Sequence, residues 1–517
     1  MKSLFQKLAH LTAIALFSAH FAAVSAAEPK IEFSYIPPLN LKGIAEGQIV
    51  WDGLTADNAG QYAVVAMLHA VWPGGGDFYV KPFADKYLNE VDANGFFSIL
   101  LTTGGTDENV DRVIFYLVKR AGIRTADVRN PTAMSGKYLA TRTISRRSWV
   151  NPPPPLTSSV RPGFVAAGTE ITLSCVEGGV IRYTLDGSNP VTSSTAQTYN
   201  RQVFQVPVSG SLLVRAAVKT ADTYSKIFSL LWLPAEPLTT PFWGLNVSLA
   251  LNGEPFGHRL TEATTRERML PVARLTKWVR TFGTINNGHE YINKIAKELG
   301  LRTMIGVSVS NDASNNKAQI EGLRKILQMG PAPDLIAVGN ETSLAGVSTA
   351  TLASCIDEVR EMVLQQGLAI PVGSVDIAHT AWNQTVSQKL DFTGVNIYDG
   401  TWNTIPENQM LDAMKQTFAN SISASPSKLV LLTETGTPYS GGRYSFAGGS
   451  QTASKEKAAK FLCGFLKWIK QEQIPAFYFE AYDEPVKSQS GGHIIEQYFG
   501  IMDGKMQIHS FYRECIP

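Results

Sequence analysis

The sequence of 517 residues predicts a multidomain chain in which a C-terminal (β/α)8 TIM barrel follows two all-β, sandwich-like modules. Short β-branched and aromatic runs, separated by turn residues, dominate residues 28–235. A segment with four consecutive prolines, residues 152–155, divides that region and predicts an extended, semi-rigid spacer. From about residue 240 onward, strand-like apolar runs alternate with helical segments.

Residues 1–27 have the composition of a signal peptide. Lys2 and Lys7 give a positive start, an apolar run follows, and Val24-Ser25-Ala26 supplies the small residues that signal peptidase reads. A buried N-terminal helix is the alternative interpretation. The apolar run is too short to span a membrane readily. We therefore expect a protein that is secreted, whether extracellular, periplasmic or attached to a cell wall, and that has no membrane span.

The charge of the chain is nearly balanced, with 46 Lys and Arg residues against 44 Asp and Glu residues. This balance argues against nucleic acid as a partner and leaves neutral polymers, sugars among them, open. Four cysteines are too few for a disulfide-built scaffold. A Cys463–Cys515 bridge is compatible with export but not required by the spacing, and at least two buried free thiols are expected. The sequence implies no metal and no cofactor, and we expect a monomer.

The first module is assigned to residues 28–150. Its clearest strand-like runs are Tyr62–Met67, Gly95–Leu101 and Val113–Val118, with turn residues between them. Several short strands of this kind are typical of a β-sandwich. The aromatic residues of this module either bind polysaccharide or fill the sandwich core, and the sequence leaves both interpretations open. The residues concerned are Trp51, Trp72, Phe78 and Tyr79.

The second module is assigned to residues 156–235 and also consists of short strands. A β-branched and aromatic strand at Ile181–Thr184 runs into Asp186-Gly187, which is a strong turn signal, and Leu212–Val218 is a second strand. The stretch Tyr183–Pro190 and the second strand resemble the immunoglobulin-like module found beside chitobiases and hexosaminidases. The resemblance implies a spacer or a carbohydrate-associated module, not a catalyst.

The third region, residues 240–517, is assigned to the barrel. Eight strand-like runs over about 275 residues match the size of a TIM barrel. The runs are Gly244–Val247, Trp278–Phe282, Arg302–Val307, Leu335–Val338, Ile370–Ser374, Thr393–Ile397, Leu429–Thr433 and Ala476–Phe479.

Two glutamates directly follow strands of this barrel. Glu341 comes after the fourth run and Glu434 after the seventh, so 93 residues, or three βα units, separate them. Taken singly, each glutamate could equally cap a helix or form a salt bridge. Together they lie at the carboxyl ends of two strands, where the catalytic residues of such barrels are found. Two facing carboxylates are the minimum requirement for cleaving a glycosidic bond.

Five motifs at strand ends, together with one late element, are similar to those of glycoside hydrolase family 17. They are Val279–Gly283, Val338–Glu341, Val395–Tyr398, Thr433–Pro438, Phe479–Pro485 and Glu496–Gly500. The region 242–511 thus resembles the retaining β-1,3-glucanases and their transglycosylating relatives. The resemblance implies that Glu341 is the general acid/base and Glu434 the nucleophile. Asn340 would bind the sugar beside the scissile bond, and Tyr398 would orient Glu434.

The resemblance also implies roles for other residues at the strand ends. Glu484 and Lys487 would form a supporting polar network, with a plain surface salt bridge as the alternative. Arg280 and Asn396 would contact substrate or serve only as structural anchors. Aromatic platforms are expected for sugar rings, although about half of the candidates would be ordinary core residues. The candidates are Trp243, Phe282, Trp382, Trp402, Tyr439, Phe479 and Tyr482.

Two departures from the family pattern concern the sugar site. Thr437 and Val486 stand where the family usually has an aromatic residue, and both are expected near sugar subsites. The leading interpretation is a secreted retaining hydrolase whose polysaccharide substrate is β-1,3-glucan. A β-1,3-glucanosyltransferase would use the same carboxylates with a sugar hydroxyl in place of water. A non-catalytic glucan-binding wall protein is a further alternative, which the presence of both glutamates argues against.

Overall fold

The structure, a computed structural model, describes residues 28–40, 43–72, 75–84, 86–102, 107–152, 154–220, 223–251, 253–255, 257–378, 386–446, 448–487 and 493–516. The predicted signal peptide lies outside these residues, as does Trp382. Within the described ranges, none of the helices has the length and apolar character needed to cross a bilayer. The chain forms two compact units, one built mainly on Glu46–Phe97 and Val110–Ser148, the other mainly on Trp149–Pro517.

The N-terminal module is an all-β structure, as predicted. An antiparallel sheet has the order Gly75–Lys81, Tyr62–Trp72, Arg112–Lys119 and Ala140–Ser145, with Asn89–Glu90 paired to the second of these strands. A three-stranded sheet has the order Lys30–Tyr35, Ile44–Val50 and Phe96–Leu100.

The aromatic candidates of this module have different surroundings. Phe78 packs against the apolar core of the larger sheet, and Trp51 packs edge-on against Tyr62 with 5.4 Å between the ring centroids. Tyr79 is exposed, and the side chain of Trp72 lies outside the described residues. Phe78 therefore fills the core, and a glycan-binding role of this module stays a prediction.

The second module is a β-sandwich whose main sheet has the order Gly163–Val165, Phe228–Pro234, Leu212–Thr220, Val180–Thr184 and Gln197–Thr198, with Thr223–Tyr224 paired to Leu212–Thr220. Glu170–Ile171 pairs with Phe204–Gln205, and Leu173–Cys175 pairs with Leu156–Ser158. The predicted turn is present, because the Asp186 carboxylate accepts hydrogen bonds from the Ser188 amide and hydroxyl.

The C-terminal region is the predicted barrel of eight parallel strands. In chain order they are Phe242–Asn246, Thr276–Arg280, Arg302–Val307, Leu335–Asn340, Val372–Ile377, Phe392–Asn396, Leu429–Glu434 and Phe477–Tyr478. Each strand pairs with its neighbour in sequence, and the first pairs with the eighth. A parallel bridge between Leu432 and Ala476 closes the ring.

Helices follow most of the strands and cover the barrel, while the described residues between the fifth and sixth strands contain only the short 3-10 helix Ser387–Lys389. The α-helices are Glu262–Leu275, His289–Glu298, Ala313–Met329, Thr349–Gln365, Asp399–Trp402, Met410–Ala424 and Lys455–Glu472. Thr261, Asp312, Ser348 and Ser454 cap four of them by accepting hydrogen bonds from backbone amides of the first turn. A disulfide joins Cys463 of the last helix to Cys515, while Cys175 and Cys355 are free thiols.

The second module packs against the amino ends of the barrel strands, a surface we call the barrel base. Its Phe164 ring lies edge-on to Trp243 and Trp278, which stack on each other with 5.0 Å between centroids. Leu213 and Leu231 of the module belong to the same apolar core as the barrel strands. The interpretation of Trp243 as a sugar platform is therefore wrong, because its ring is buried at the base, opposite the strand ends that carry the glutamates.

Candidate active site

The carboxyl ends of the eight strands form the barrel mouth, and both candidate glutamates lie there beside irregularities of the sheet. Glu434 ends the seventh strand, where the register against the sixth strand shifts at Asn396. Glu341 follows the fourth strand, whose register against the fifth shifts between Ala337 and Asn340. Such bulges redirect side chains beside active sites, and here they turn both carboxylates toward the same amide group.

The chain leaves the fourth strand through two residues with left-handed backbone conformations. Gly339 has φ +79° and Glu341 has φ +48°. A Cβ at position 339 would lie 2.8 Å from a methyl group of Thr342 and 2.9 Å from Leu352, so only glycine fits. A left-handed glutamate is uncommon and is maintained only where its surroundings enforce it, as happens at functional sites.

Glu434 is buried and receives three hydrogen bonds from side chains. Arg280 donates to its Oε1 over 2.7 Å, and Asn396 donates to the same oxygen over 2.8 Å. Tyr398 donates its hydroxyl proton to Oε2 over 2.9 Å. Donors of this kind favour the ionised form of a carboxylate, and Arg280 adds an opposite charge.

Asn396 connects the two glutamates. Its Nδ2 donates to Glu341 Oε1 and to Glu434 Oε1, each over 2.8 Å. Thr433 donates its hydroxyl proton to the Oδ1 atom of Asn396 over 2.8 Å, which fixes the amide with its nitrogen toward the carboxylates. The two facing carboxylate oxygens therefore lie no farther apart than twice 2.8 Å, or 5.6 Å.

Glu341 differs electrostatically from Glu434. Burial, and after it the charge of the neighbouring Glu434 carboxylate, raises the pKa of Glu341 to about 7, against the opposing effect of the Asn396 hydrogen bond. Glu341 is thus able to hold a proton near neutral pH, whereas Glu434 is the carboxylate that accepts three side-chain hydrogen bonds.

Arg280 is the central cation of the mouth and is buried. One of its terminal nitrogens donates to Glu434 and, over 2.9 Å, to the Oδ1 atom of Asn246. The other donates to Asn340 Oδ1 over 2.7 Å. Asn246 ends the first strand and is a site residue that the sequence patterns do not single out. Its position at the end of a buried strand was the available signal.

Glu484 and Lys487 belong to a buried network, so the alternative of a plain surface salt bridge is wrong. Lys487 Nζ lies 2.7 Å from Glu480 Oε1 and 2.5 Å from Glu484 Oε2. Burial and the adjacent Glu484 raise the pKa of Glu480 well above its ordinary value. Although burial alone would raise the pKa of Glu484, Lys487 and Glu480 lower it overall. Glu480 is a second site residue that the sequence patterns miss.

Half-buried aromatic rings surround the carboxylates. Arg280 lies over the Phe282 ring, 4.7 Å from its centroid, and Lys487 lies 4.2 Å from the centroid of Phe479. Phe479 contacts Phe282 and Tyr398 edge-on, with 6.0 and 6.1 Å between centroids. Phe282 thus lies at the mouth beside Arg280, within an aromatic wall.

Three other aromatic candidates have separate surroundings. Trp402 lies against the rings of Tyr444, Phe446 and His493. The Tyr439 hydroxyl donates to Asp483 over 2.6 Å. Tyr482 is a buried core residue whose hydroxyl donates to the Arg268 carbonyl over 2.6 Å, so it offers no platform.

The two departures from the family pattern are at buried positions. Thr437 is fully buried and Val486 is 3% exposed. Neither side chain is therefore accessible, and the expectation that both positions lie near sugar subsites stays a prediction. These two residues can affect substrate binding only indirectly, by changing how side chains pack beneath the mouth.

Among the described residues, no group of three or more His, Cys, Asp or Glu side chains is arranged to hold a metal ion.

Comparison with known families matches two parts of the chain. Residues 257–500 match the BtgE/BtgC glycoside hydrolase domain. Residues 160–229 match the chitobiase/beta-hexosaminidase C-terminal domain. The predicted resemblances to a glycoside hydrolase and to a chitobiase-type module are confirmed at this level.

Curated relatives match the barrel region. A probable beta-glucosidase btgE of Neosartorya fischeri is 28% identical over 229 residues, which cover 44% of this chain and 40% of the relative. A glucan 1,3-beta-glucosidase of Schizosaccharomyces pombe is 27% identical over 249 residues, covering 45% of this chain and 74% of the relative. The match thus spans about 40% of the length of the btgE relative.

Among solved structures, a family 17 β-1,3-glucanosyltransferase from Rhizomucor miehei aligns with 25% identity and a TM-score of 0.45, covering 52% of this chain and 96% of that chain. An endo-laminarinase from Formosa aligns with 18% identity and a TM-score of 0.43, covering 51% of this chain and 84% of that chain.

Proposed function

We propose that the protein is a secreted retaining glycoside hydrolase that cleaves β-1,3-glucan, with Glu341 as general acid/base and Glu434 as nucleophile. The observation that carries the proposal is the single amide nitrogen of Asn396, which binds both carboxylates at 2.8 Å. It limits the facing oxygens to a separation of 5.6 Å or less. Retaining enzymes need about 5–5.5 Å between the carboxyl groups, whereas inverting enzymes need roughly 6.5–9.5 Å for a water molecule.

The environments of the two carboxylates support the division of roles. A nucleophile has to be ionised, and Glu434 has Arg280, Asn396 and Tyr398 as donors. A general acid has to hold a proton near neutral pH, and burial followed by the charge of Glu434 raises the pKa of Glu341 to about 7.

The reaction then follows in two displacements. Glu434 attacks the anomeric carbon while Glu341 gives its proton to the departing glycosidic oxygen, which leaves a glycosyl ester on Glu434. Glu341, now ionised, takes a proton from water, and the resulting hydroxide equivalent attacks the anomeric carbon and releases Glu434. Each carboxylate returns to its starting state.

Asn340 is suited to bind the sugar beside the scissile bond. Its Oδ1 accepts hydrogen bonds from Arg280 over 2.7 Å and from Asn396 over 3.2 Å, which orients the amide. Within the described part of the chain, its Nδ2 makes no hydrogen bond and is available to a sugar hydroxyl. A hydrogen bond to the 2-hydroxyl that strengthens in the transition state contributes directly to the rate.

The substrate assignment is supported by the similarity to the Schizosaccharomyces pombe relative, a glucan 1,3-beta-glucosidase. The test is incubation with linear β-1,3-, β-1,6- and mixed-linkage glucans, with reducing-end assays and product separation. We expect sugar release from the β-1,3-glucan with retention of the anomeric configuration, as followed by NMR. Products longer than the substrate indicate glucanosyl transfer, and binding without released reducing ends contradicts the enzymatic proposal.

Secretion is proposed on the composition of residues 1–27. The test is expression of the full chain in a host with a secretory pathway, followed by N-terminal sequencing of the exported protein. We expect the mature protein to start near residue 28. Retention inside the cell with Met1 still present contradicts this part of the proposal.

A further inference from the structure

The turn that carries Glu341 is held from one side by a buried acid on the next strand. Asp376, near the end of the fifth strand, is 1% exposed. Its Oδ1 accepts from the Ser343 hydroxyl over 2.5 Å. Its Oδ2 accepts from the Ser343 amide over 3.2 Å and lies 3.4 Å from the Thr342 hydroxyl. The two residues directly after Glu341 are thus attached to one carboxylate.

These bonds act on a backbone that needs support. Glu341 has φ +48°, a left-handed conformation that is unfavourable for a residue with a side chain. The Glu341 amide donates to the Val375 carbonyl over 3.0 Å, so the turn is bound to the fifth strand on both sides of the Glu341 side chain. Without the hydrogen bonds to Asp376, residues 342–343 would be free to move. Glu341 would then relax out of its left-handed conformation and move away from Asn396.

We propose that Asp376 is a positioning residue for the reaction, which fixes the turn at residues 341–343 so that the Glu341 carboxyl group faces Asn396 and Glu434. This inference rests on the function proposed above for Glu341. Asp376 is not a catalytic residue, because it acts through Ser343 and Thr342 and not on the substrate.

Asp376 also acts on Glu341 through its charge. The groups that face Glu341 are Glu434 and Asp376, both anionic, together with the Arg280 cation and the Asn396 amide. Tyr398 faces it as a neutral phenol, because burial raises the pKa of that hydroxyl well above its ordinary value. Removing the Asp376 charge therefore favours ionisation of Glu341 and brings the loss of the catalytic proton to lower pH.

Three variants separate the positioning role from general damage. Asp376→Asn keeps the shape and removes the charge and the strong acceptor. Ser343→Ala removes the bond to Oδ1 but leaves the charge. Asp312→Asn is the matched control, since Asp312 is an exposed helix cap after the third strand and asparagine caps a helix equally well.

We measure kcat and KM on β-1,3-glucan oligosaccharides against pH. For Asp376→Asn we expect kcat to fall at least about tenfold with KM little changed, and the basic limb of the profile to move by at least about 0.5 pH unit to lower pH. Ser343→Ala is expected to lower kcat by a smaller factor with the limb unmoved, and Asp312→Asn to match wild type. Asp376→Asn with a wild-type kcat and limb overturns the inference, as does a loss that only follows the fraction of unfolded protein.

A second measurement does not need activity. Unfolding free energies of wild type, Asp376→Asn, Glu341→Gln and the double variant form a double-mutant cycle. We expect a repulsive coupling between the two positions at pH 8 that disappears at pH 5, where Glu341 is protonated. Absence of coupling at both pH values overturns the inference. Coupling in a protein that releases no sugar from any glucan leaves the positioning geometry intact and contradicts the proposed function.

Discussion

Two of the buried ionic networks of the barrel, one at each end, have opposite compositions. At the mouth, two carboxylates, Glu341 and Glu434, share one nearby cation, Arg280. At the base, two arginines share one carboxylate. Arg360 Nη1 lies 2.9 Å from Asp391 Oδ2, and Arg215 Nε lies 3.7 Å from Oδ1.

The opposite ratios of acidic to basic groups shift the pKa of the carboxylates Glu341 and Asp391 in opposite directions. Burial would raise the pKa of Asp391, but Arg360 and Arg215 lower it below the ordinary value, and that carboxylate stays charged. Burial, and then Arg360, lowers the pKa of Arg215 to about 10. At the mouth, the excess of acid leaves Glu341 with a pKa near 7. The comparison indicates that the base holds fixed charges which join the second module to the barrel, whereas the mouth holds a proton that can be moved.

The largest expected effect is on the rate at the mouth. Glu434→Gln keeps the hydrogen-bonding shape but removes the nucleophile, so we expect activity on β-1,3-glucan to fall by at least about 10⁴-fold. Glu407→Gln, on the exposed surface, is the matched control and should retain wild-type activity. The test is to measure the reducing ends that each variant releases over several days. Substantial residual activity in Glu434→Gln contradicts the role proposed for Glu434.

The next largest effect is on stability at the base. Asp391→Asn leaves the buried Arg215 and Arg360 without a counterion, and removing one partner of a buried pair costs about 3–5 kcal/mol. We expect denaturant unfolding to show this loss while the folded fraction keeps its kcat. Asp312→Asn again provides the control. An equal loss of kcat in the folded fraction would show that the base is not independent of the chemistry.

A smaller effect links stability to pH through Glu341. Its folded pKa of about 7 lies above the ordinary 4.5, so the folded state binds the proton more tightly than the unfolded chain. Wild type should therefore lose about 3 kcal/mol of stability as the pH rises from 4.5 to 7. Glu341→Gln does not titrate, so at pH 8 it should be more stable than wild type by about 3 kcal/mol. Below pH 4.5 this difference in stability should be absent. Parallel stability curves for the two proteins at pH 4, 6 and 8 would disprove the raised pKa.

The smallest effect concerns an ion pair outside both networks. Arg266 contacts Glu298 and, over 3.5 Å, Glu262, and its side chain is 37% exposed. Exposed pairs are screened by solvent and contribute little, so Arg266→Ala should change the unfolding free energy far less than Asp391→Asn does. A loss as large as that of Asp391→Asn would mean that burial does not distinguish the base network from surface pairs.

The architecture follows from the sequence pattern because each barrel strand is a buried apolar run. The predicted fold class is confirmed, and both glutamates could be placed at strand ends. The fifth strand was the least accurate prediction. It was expected at Ile370–Ser374 and lies at Val372–Ile377, directly after Pro371, which has no amide hydrogen to donate to the sheet.

That displacement hid part of the site. With the strand placed too early, Asp376 fell in a predicted loop and not at the mouth. The contacts of Asn246 with Arg280 and of Lys487 with Glu480 join residues far apart in sequence, and no local pattern reports them. The raised pKa of Glu341 was likewise beyond sequence reasoning, because it depends on burial and on the neighbouring charges of Glu434, Asp376 and Arg280.

The central claim is that Glu434 forms the covalent intermediate and Glu341 serves as acid/base. The most direct measurement uses Glu341→Ala with an aryl β-laminaribioside whose leaving group needs no proton. Without the base, the second displacement slows and the glycosyl-enzyme should accumulate, so mass spectrometry of the digested protein should find the disaccharide on the peptide that contains Glu434. No adduct, or one on any other peptide, would contradict the account.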